Sequence, residues 1–171
     1  MDGCWHDSFY HCVIPQLCGE TFDLERLKDV IDGKRQGFLG ATNVVNYLSN
    51  HDHNHVLAEL GEREIFGEAA FKRAKLGAVL LMTAVGVPLI WMGDEFGEDK
   101  SKTIEPAKID WTLLGNDLNK GLWEYYKGLI NLRENNQALY TENIVFFHED
   151  LASKVFAYTR WNDEGSRVVV V

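Results

Sequence analysis

Within six positions the chain places Asn50, His51, Asp52, His53 and His55. Three imidazoles and a carboxylate so close together permit three kinds of chemistry. The first is metal binding. In an extended segment His51, His53 and His55 share one side and Asp52 faces the other, whereas in a helix only His51 and His55 align. Zinc sites draw their ligands from separated segments at spacings this run does not match. The second is a solvated polar loop with no task. The third is a site for a sugar or small molecule. A carboxylate accepts two hydroxyl donors and an imidazole donates to a third partner. A carboxylate beside an anomeric carbon also stabilises an oxocarbenium-like transition state. The motif alone leaves all three open.

Two other groupings carry polar chemistry. Asp94 and Glu95, with Glu98 nearby, invite an acid/base reading. Adjacent strand residues point to opposite faces, however, so the pair cannot easily flank one bond, and a structural loop role is the better expectation. Cys4, His6, His11 and Cys12 match no usual zinc spacing. A buried, aromatic-rich segment with reduced thiols is expected there. Trp5, Trp91, Trp111 and Trp123 could stack on sugars, although most tryptophans simply pack.

The elements that must position these groups follow from periodicity. Residues 1–20 read as irregular, with a short helix broken near Pro15. Asp23 caps an amphipathic helix carrying Leu24, Leu27, Val30 and Ile31, which stops near Gly33. Val44, Val45, Tyr47 and Leu48 form a β-prone run ending at the polar string that holds Asp52. Parallel α/β folds place their chemistry at such carboxyl ends. Residues 56–68 read as a loop and 68–85 as a covered helix. Val87–Met92 reads as a strand buried on both faces, because its hydrophobicity is continuous. A polar loop spans 98–118. A helix over 119–135 carries the stripe Leu122, Tyr125, Leu129 and Leu132. Ile144–His148, Val155–Trp161 and Arg167–Val171 read as strands, with a hairpin turn at Asn162-Asp163-Glu164-Gly165. Two βα units cannot bury both faces of a parallel sheet, so a piece of a larger α/β fold is expected.

Composition excludes several function classes. The 171 residues are 46 % hydrophobic and 12 % aromatic, enough to bury a core. The formal net charge of −9 opposes nucleic acid and anionic membrane surfaces, so neither is an expected partner. Leu76–Gly93 carries no charge, but Gly86 and Pro88 break it. A helix, a turn and a strand fit it better than a membrane span. All three cysteines fall in the first eighteen residues, which argues against a disulfide framework. Met1-Asp2-Gly3-Cys4 offers no basic or apolar leader. Together these give an expectation of a cytoplasmic protein.

Tyr47-Leu48-Ser49-Asn50-His51-Asp52 resembles a conserved segment of the α-amylase family, glycoside hydrolase family 13, in which an Asn/Ser-His-Asp ends barrel strand seven. Gly86-Val87-Pro88-Leu89-Ile90-Trp91-Met92-Gly93-Asp94-Glu95-Phe96-Gly97 resembles that family's strand eight and the loop after it. Leu129-Ile130-Asn131-Leu132-Arg133 resembles the helix that closes the barrel, and the strands from Ile144 onward resemble the opening of its C-terminal β-domain. Residues 1–40 resemble, more weakly, the stretch after strand five of branching-enzyme-like members.

The resemblance implies an α/β fold: the C-terminal portion of a (β/α)8 TIM barrel over 1–141, then an incomplete antiparallel β-domain over 142–171. It implies Asp52 as the catalytic, transition-state-stabilising carboxylate. His51 would hydrogen-bond hydroxyls of the reacting sugar, and Asn50 would support the two. The partner implied is an α-glucan such as starch, glycogen or a maltooligosaccharide, with no metal or cofactor. A 1,4-α-glucan branching-enzyme-like transglycosylase is the first expectation. An α-amylase or a maltooligosyltrehalose trehalohydrolase-type hydrolase is the second, and a non-catalytic α-glucan-binding module a third. Two departures stand out. The family's Arg-x-Asp nucleophile motif and its acid Glu at a strand end are not recognised here, so the isolated chain is expected to be catalytically incomplete. Branching enzymes carry Glu after the His-Asp pair, where this chain has His53. Exposed sheet edges lead to a further expectation of self-association.

Overall fold

The computed structural model describes residues 3–171. Met1 and Asp2, part of the reading that no leader is present, lie outside the described residues.

The chain begins in order. Strand β1 (Cys4–Trp5) leads directly into α1 (Asp7–Cys18). Pro15 lies inside α1 without breaking it, which corrects the irregular reading of 1–20. Its missing N–H falls one turn from the end. The helix then closes on Gly19 in the left-handed region, whose N–H donates to Gln16 O at 3.0 Å. Burial of Phe9, Cys12, Val13 and Leu17 holds α1 in place. In α2 (Leu24–Ile31), Asp23 accepts from Arg26 N at 3.0 Å, the cap expected from sequence.

Strand β2 (Val44–Tyr47) is followed after the polar string by α3 (Val56–Gly61), α4 (Gly67–Thr83) and β3 (Val87–Leu89). The loop expected over 56–68 is therefore a helix in its first half. Val56, Ala58 and Leu60 are buried there, and six residues are too few for periodicity to announce a helix. Strand β3 is also shorter than expected and not buried on both faces: Val87 is 41 % exposed, and Pro88 and Leu89 are half-buried. The cause is its place in the sheet, whose order is β1-β2-β3, all parallel. Only β2 is central. Cys4 pairs with Val44, Val45 with Val87 and Tyr47 with Leu89, so the carboxyl ends of all three strands leave by one edge.

One apolar cluster joins α1, β2, α4 and α5 (Asp117–Glu134). Close approach at Gly77 permits this: a Cβ there would stand 2.8 Å from Leu17 Cδ1. The turn between α4 and β3 needs Gly86, at φ +134, where a Cβ would stand 2.5 Å from Asn46 Nδ2. The buried face of α5 is Leu122, Tyr126, Leu129 and Arg133. The expected stripe is thus half right, since Tyr125 and Leu132 are each 37 % exposed. Arg133 displaces them because its guanidinium donates to Met82 O at 2.6 Å and Gly86 O at 2.7 Å, capping the end of α4.

Strands β4 (Ile144–Asp150), β5 (Val155–Trp161) and β6 (Arg167–Val170) form an antiparallel sheet in that order. Gly165 at φ +97 turns the second hairpin. This sheet packs on the same core through Tyr158 and Val170. Arg160, fully buried, donates to Thr83 O at 2.5 Å, Thr141 O at 2.6 Å and Asn143 O at 3.1 Å.

Candidate functional site

The strand ends converge on the polar string. Asn50 is buried, and its Oδ1 accepts from Asp52 N at 2.8 Å. That turn lifts the next two side chains off the sheet. His51 and Asp52 stand well exposed, with His51 Nε2 3.3 Å from Asp52 Oδ2. Trp5 from the end of β1 meets the His51 ring edge-on at 5.6 Å, and Trp91, just past β3, lies 6.2 Å from it. Three neighbouring strand ends thereby frame one imidazole.

Beside this group is a cleft of about 200 Å³. Asn50, His51, His53, His55, Trp91, Met92 and Glu98 line one side, and residues of the 100–109 loop line the other. Asp52 is not part of the lining but pairs with two residues that are. Lys102 Nζ donates to the Asp52 carbonyl at 3.0 Å and lies 3.8 Å from its carboxylate; His51 is the second. The loop is further pinned by Lys102 N donating to Asn54 Oδ1 at 2.8 Å and Lys100 Nζ to Lys108 O at 2.6 Å. Asn50, His51 and Asp52 are thus brought together at the mouth of one cleft.

The other histidines part company. His53 turns back and stacks on Tyr10 at 3.8 Å, 15° from parallel. Burial lowers its pKa, and the nearby His11 lowers it further. His55 Nδ1 meets Asp94 Oδ1 at 2.9 Å. Burial alone would lower the His55 pKa; its hydrogen bond to Asp94 and the charges of Asp94, Glu98 and Glu95 outweigh that, and the net shift is upward. The one-sided arrangement expected for an extended run is not what forms, because the segment turns at Asn50–His53. Among the described residues no three His, Cys, Asp or Glu side chains converge as a metal site.

Asp94 is a structural tie. Buried, it accepts from the Ser49 hydroxyl, from His55 and from Val56 N at 3.5 Å, joining the two strand-end loops. Glu95 Oε2 accepts from Gly93 N at 2.8 Å. The N-terminal cysteines are free thiols, Cys12 and Cys18 buried and Cys4 half-buried. Buried His6 meets Asn46 Oδ1 at 2.6 Å and Gln36 Oε1 at 2.7 Å. Trp111 packs against Phe96 and Trp123 lies under Lys127, so both stand apart from the cleft.

Sequence reasoning met Glu98 only as a neighbour of the Asp94–Glu95 pair and missed its place, buried in the cleft wall. It also missed Tyr10, the platform for His53, forty-three positions away. Neither has a local signature. Glu98 sits in a loop that reads as solvated, and Tyr10 reads as one more apolar residue of a helix.

Comparison with known proteins bears on the family and the fold. The model of the α-amylase catalytic domain matches residues 16–117. Neopullulanase 2 of Thermoactinomyces vulgaris is 30 % identical over 145 residues, covering 85 % of this chain and 23 % of the relative. A 1,4-α-glucan branching enzyme of Butyrivibrio fibrisolvens is 31 % identical over 70 residues, 41 % of this chain and 11 % of the enzyme. A pullulanase type I from Bacillus subtilis, solved in complex with maltose, superposes with a TM-score of 0.78 at 17 % identity, covering 98 % of this chain and 28 % of that one. This chain spans less than a third of each of the three. The match of the catalytic-domain model over more than half of the residues, with a pullulanase-like fold around the cleft, establishes that the chain belongs to the α-amylase family.

Proposed function

We propose that the cleft is the sugar site of an enzyme that cleaves α-glucans with retention of configuration. On this reading residues 1–141 are the C-terminal part of a (β/α)8 barrel, with β2 and β3 as its strands seven and eight. Residues 142–171 open the following β-domain. Asp52 is the carboxylate that stabilises the oxocarbenium-like transition state, His51 hydrogen-bonds hydroxyls of the same sugar, and Asn50 fixes the turn that presents them. One observation carries the reading. The Asn50–Asp52 turn sets an exposed carboxylate beside an exposed imidazole at the mouth of a cleft walled by Trp91, where parallel strands end. A cleft of about 200 Å³ is below the roughly 300–1,000 Å³ usual for drug-sized ligands, which suits a single sugar ring.

Retaining chemistry needs two further carboxyl groups about 5–5.5 Å apart across the scissile bond. No Arg-x-Asp triplet occurs in the 171 residues. Nucleophile and acid belong, on this reading, to chain outside them, and the 171-residue protein binds glucan without turning it over.

Water or a second glucan can resolve the covalent intermediate. By resemblance the loop over 93–97 and Ile109-Asp110-Trp111 favour a branching-type transfer, whereas His53, standing where branching enzymes carry Glu, counts against it. A hydrolase of the neopullulanase kind is favoured by the reach of that match, 85 % of this chain against 41 % for the branching enzyme of Butyrivibrio fibrisolvens. The test is turnover of maltooligosaccharides by a complete catalytic domain carrying these residues. Asp52→Asn should lower kcat by at least roughly 10²–10³-fold, the scale of losing one group aimed at developing charge. Turnover like the wild type would remove the assignment. New α-1,6 linkages among the wild-type products would favour transfer, and reducing ends alone hydrolysis.

A further inference from the structure

Glu98 is 2 % exposed, yet it lies in a loop. Its Cβ and Cγ pack over Gly93, where a Cβ would stand 2.7 Å from Glu98 Cβ. Its Oε2 accepts from Asp110 N at 2.8 Å and from Lys100 Nζ at 3.4 Å. Its Oε1 has no partner and is the sole buried side-chain oxygen or nitrogen in that condition among the described residues. A buried acceptor without a donor is costly, and more so when charged. Glu98 as a residue lines the cleft, and its unpaired Oε1 is covered in the free protein.

We propose that Glu98 contacts the substrate, its Oε1 accepting a hydrogen bond from a ring hydroxyl of the glucan unit held between Trp91 and the loop at 100–109. This rests on the reading of the cleft as a sugar site and deepens it, since it adds a specificity-determining residue on the wall. A hydroxyl suits the position because it brings a donor without a second charge. On this proposal Lys100, nearly half exposed and 3.4 Å from Oε2, moves aside to admit the hydroxyl. The hydrogen bond from Asp110 N holds the carboxylate through Oε2 before the ligand arrives. A sugar lacking that hydroxyl leaves Oε1 unpaired. Such a site rejects the deoxy compound more strongly than an apolar pocket would.

The experiment uses the 171-residue protein, methyl α-maltoside and its mono-deoxy derivatives, with binding followed by amide shifts in two-dimensional NMR. Glu98→Gln should weaken methyl α-maltoside by roughly ten- to a hundredfold, the range for a hydrogen bond to a charged acceptor. One deoxy derivative should bind the wild type as weakly as the parent sugar binds the variant, and lose little more on the variant. Equal affinity of wild type and Glu98→Gln would overturn the proposal while leaving the sugar site standing. The contact is overturned in the same way if every deoxy derivative suffers the variant's full penalty, since a loosened loop would act on all sugars alike. Failure of the wild type to bind any maltoside would remove the sugar site and this contact with it. Should Glu98→Gln not fold, wild-type protein labelled with ¹³C at glutamate carboxyl carbons decides. The Glu98 resonance must move with the parent sugar and stay put with one deoxy derivative; movement with none or with all of them would count against the contact.

Discussion

At the residue scale, local geometry was legible where neighbours in sequence stay neighbours in space. Asn50, His51 and Asp52 act as one turn, so their types and spacing already described the group the fold presents. His55 was not legible. It reads as a third member of a histidine run, but it is held by Asp94, thirty-nine positions on. That pair has a consequence for pH. The folded pKa of His55 is raised above the ordinary 6.5. A raised imidazole pKa adds stability that is fully present below the unfolded value and lost as pH rises through the folded one. Denaturant unfolding of the wild type should therefore lose stability on going from pH 6 to alkaline pH relative to His55→Gln. An identical pH dependence in the two proteins would mean that the Asp94–His55 tie contributes nothing.

At the element scale, the strongly periodic segments were readable. Helix α2 begins at its expected Asp23 cap, and the hairpin closes at Gly165. The misreadings share a cause. Strand β3 has the sequence of a strand covered on both faces but occupies a sheet edge, and sequence does not state where in a sheet a strand will lie. Helix α5 buries Arg133 in place of an aliphatic residue because the end of α4 requires hydrogen-bond donors. Arg160 serves the same end of α4 from the β-sheet, and burial pushes its pKa down to about 10. Arg160→Met would fill the space and strand the buried carbonyl of Thr83 and the part-buried carbonyls of Thr141 and Asn143. Each unsatisfied group costs about 1–3 kcal/mol, so the loss should be at least about 3 kcal/mol. For a chain of this size that lowers Tm by roughly 6–12 °C. A calorimetric Tm within one or two degrees of the wild type would show that water satisfies those carbonyls.

At the scale of the whole molecule, the parallel sheet has three strands and two edges. Trp5, Val87 and Met92 are each more than 40 % exposed on or beside those strands. Unpaired edges with apolar neighbours favour association. Sedimentation velocity of the 171-residue protein should show dimers or larger species that increase with concentration, and a clean monomer at every concentration would contradict this. Among the described residues no helix is long and apolar enough to cross a membrane, and the charge-free run over 76–93 divides into the end of α4, a glycine turn and β3.

The proposed function depends on a glucose unit resting where the parallel strands end. The most direct measurement is an NMR titration of the 171-residue protein with maltotriose, read residue by residue. Saturable amide shifts should concentrate at 50–55, 91–98 and the 100–109 loop, weaken in Asp52→Ala, and leave the distant β4–β6 sheet unmoved. Shifts confined to that sheet, or none at millimolar sugar, would contradict the account.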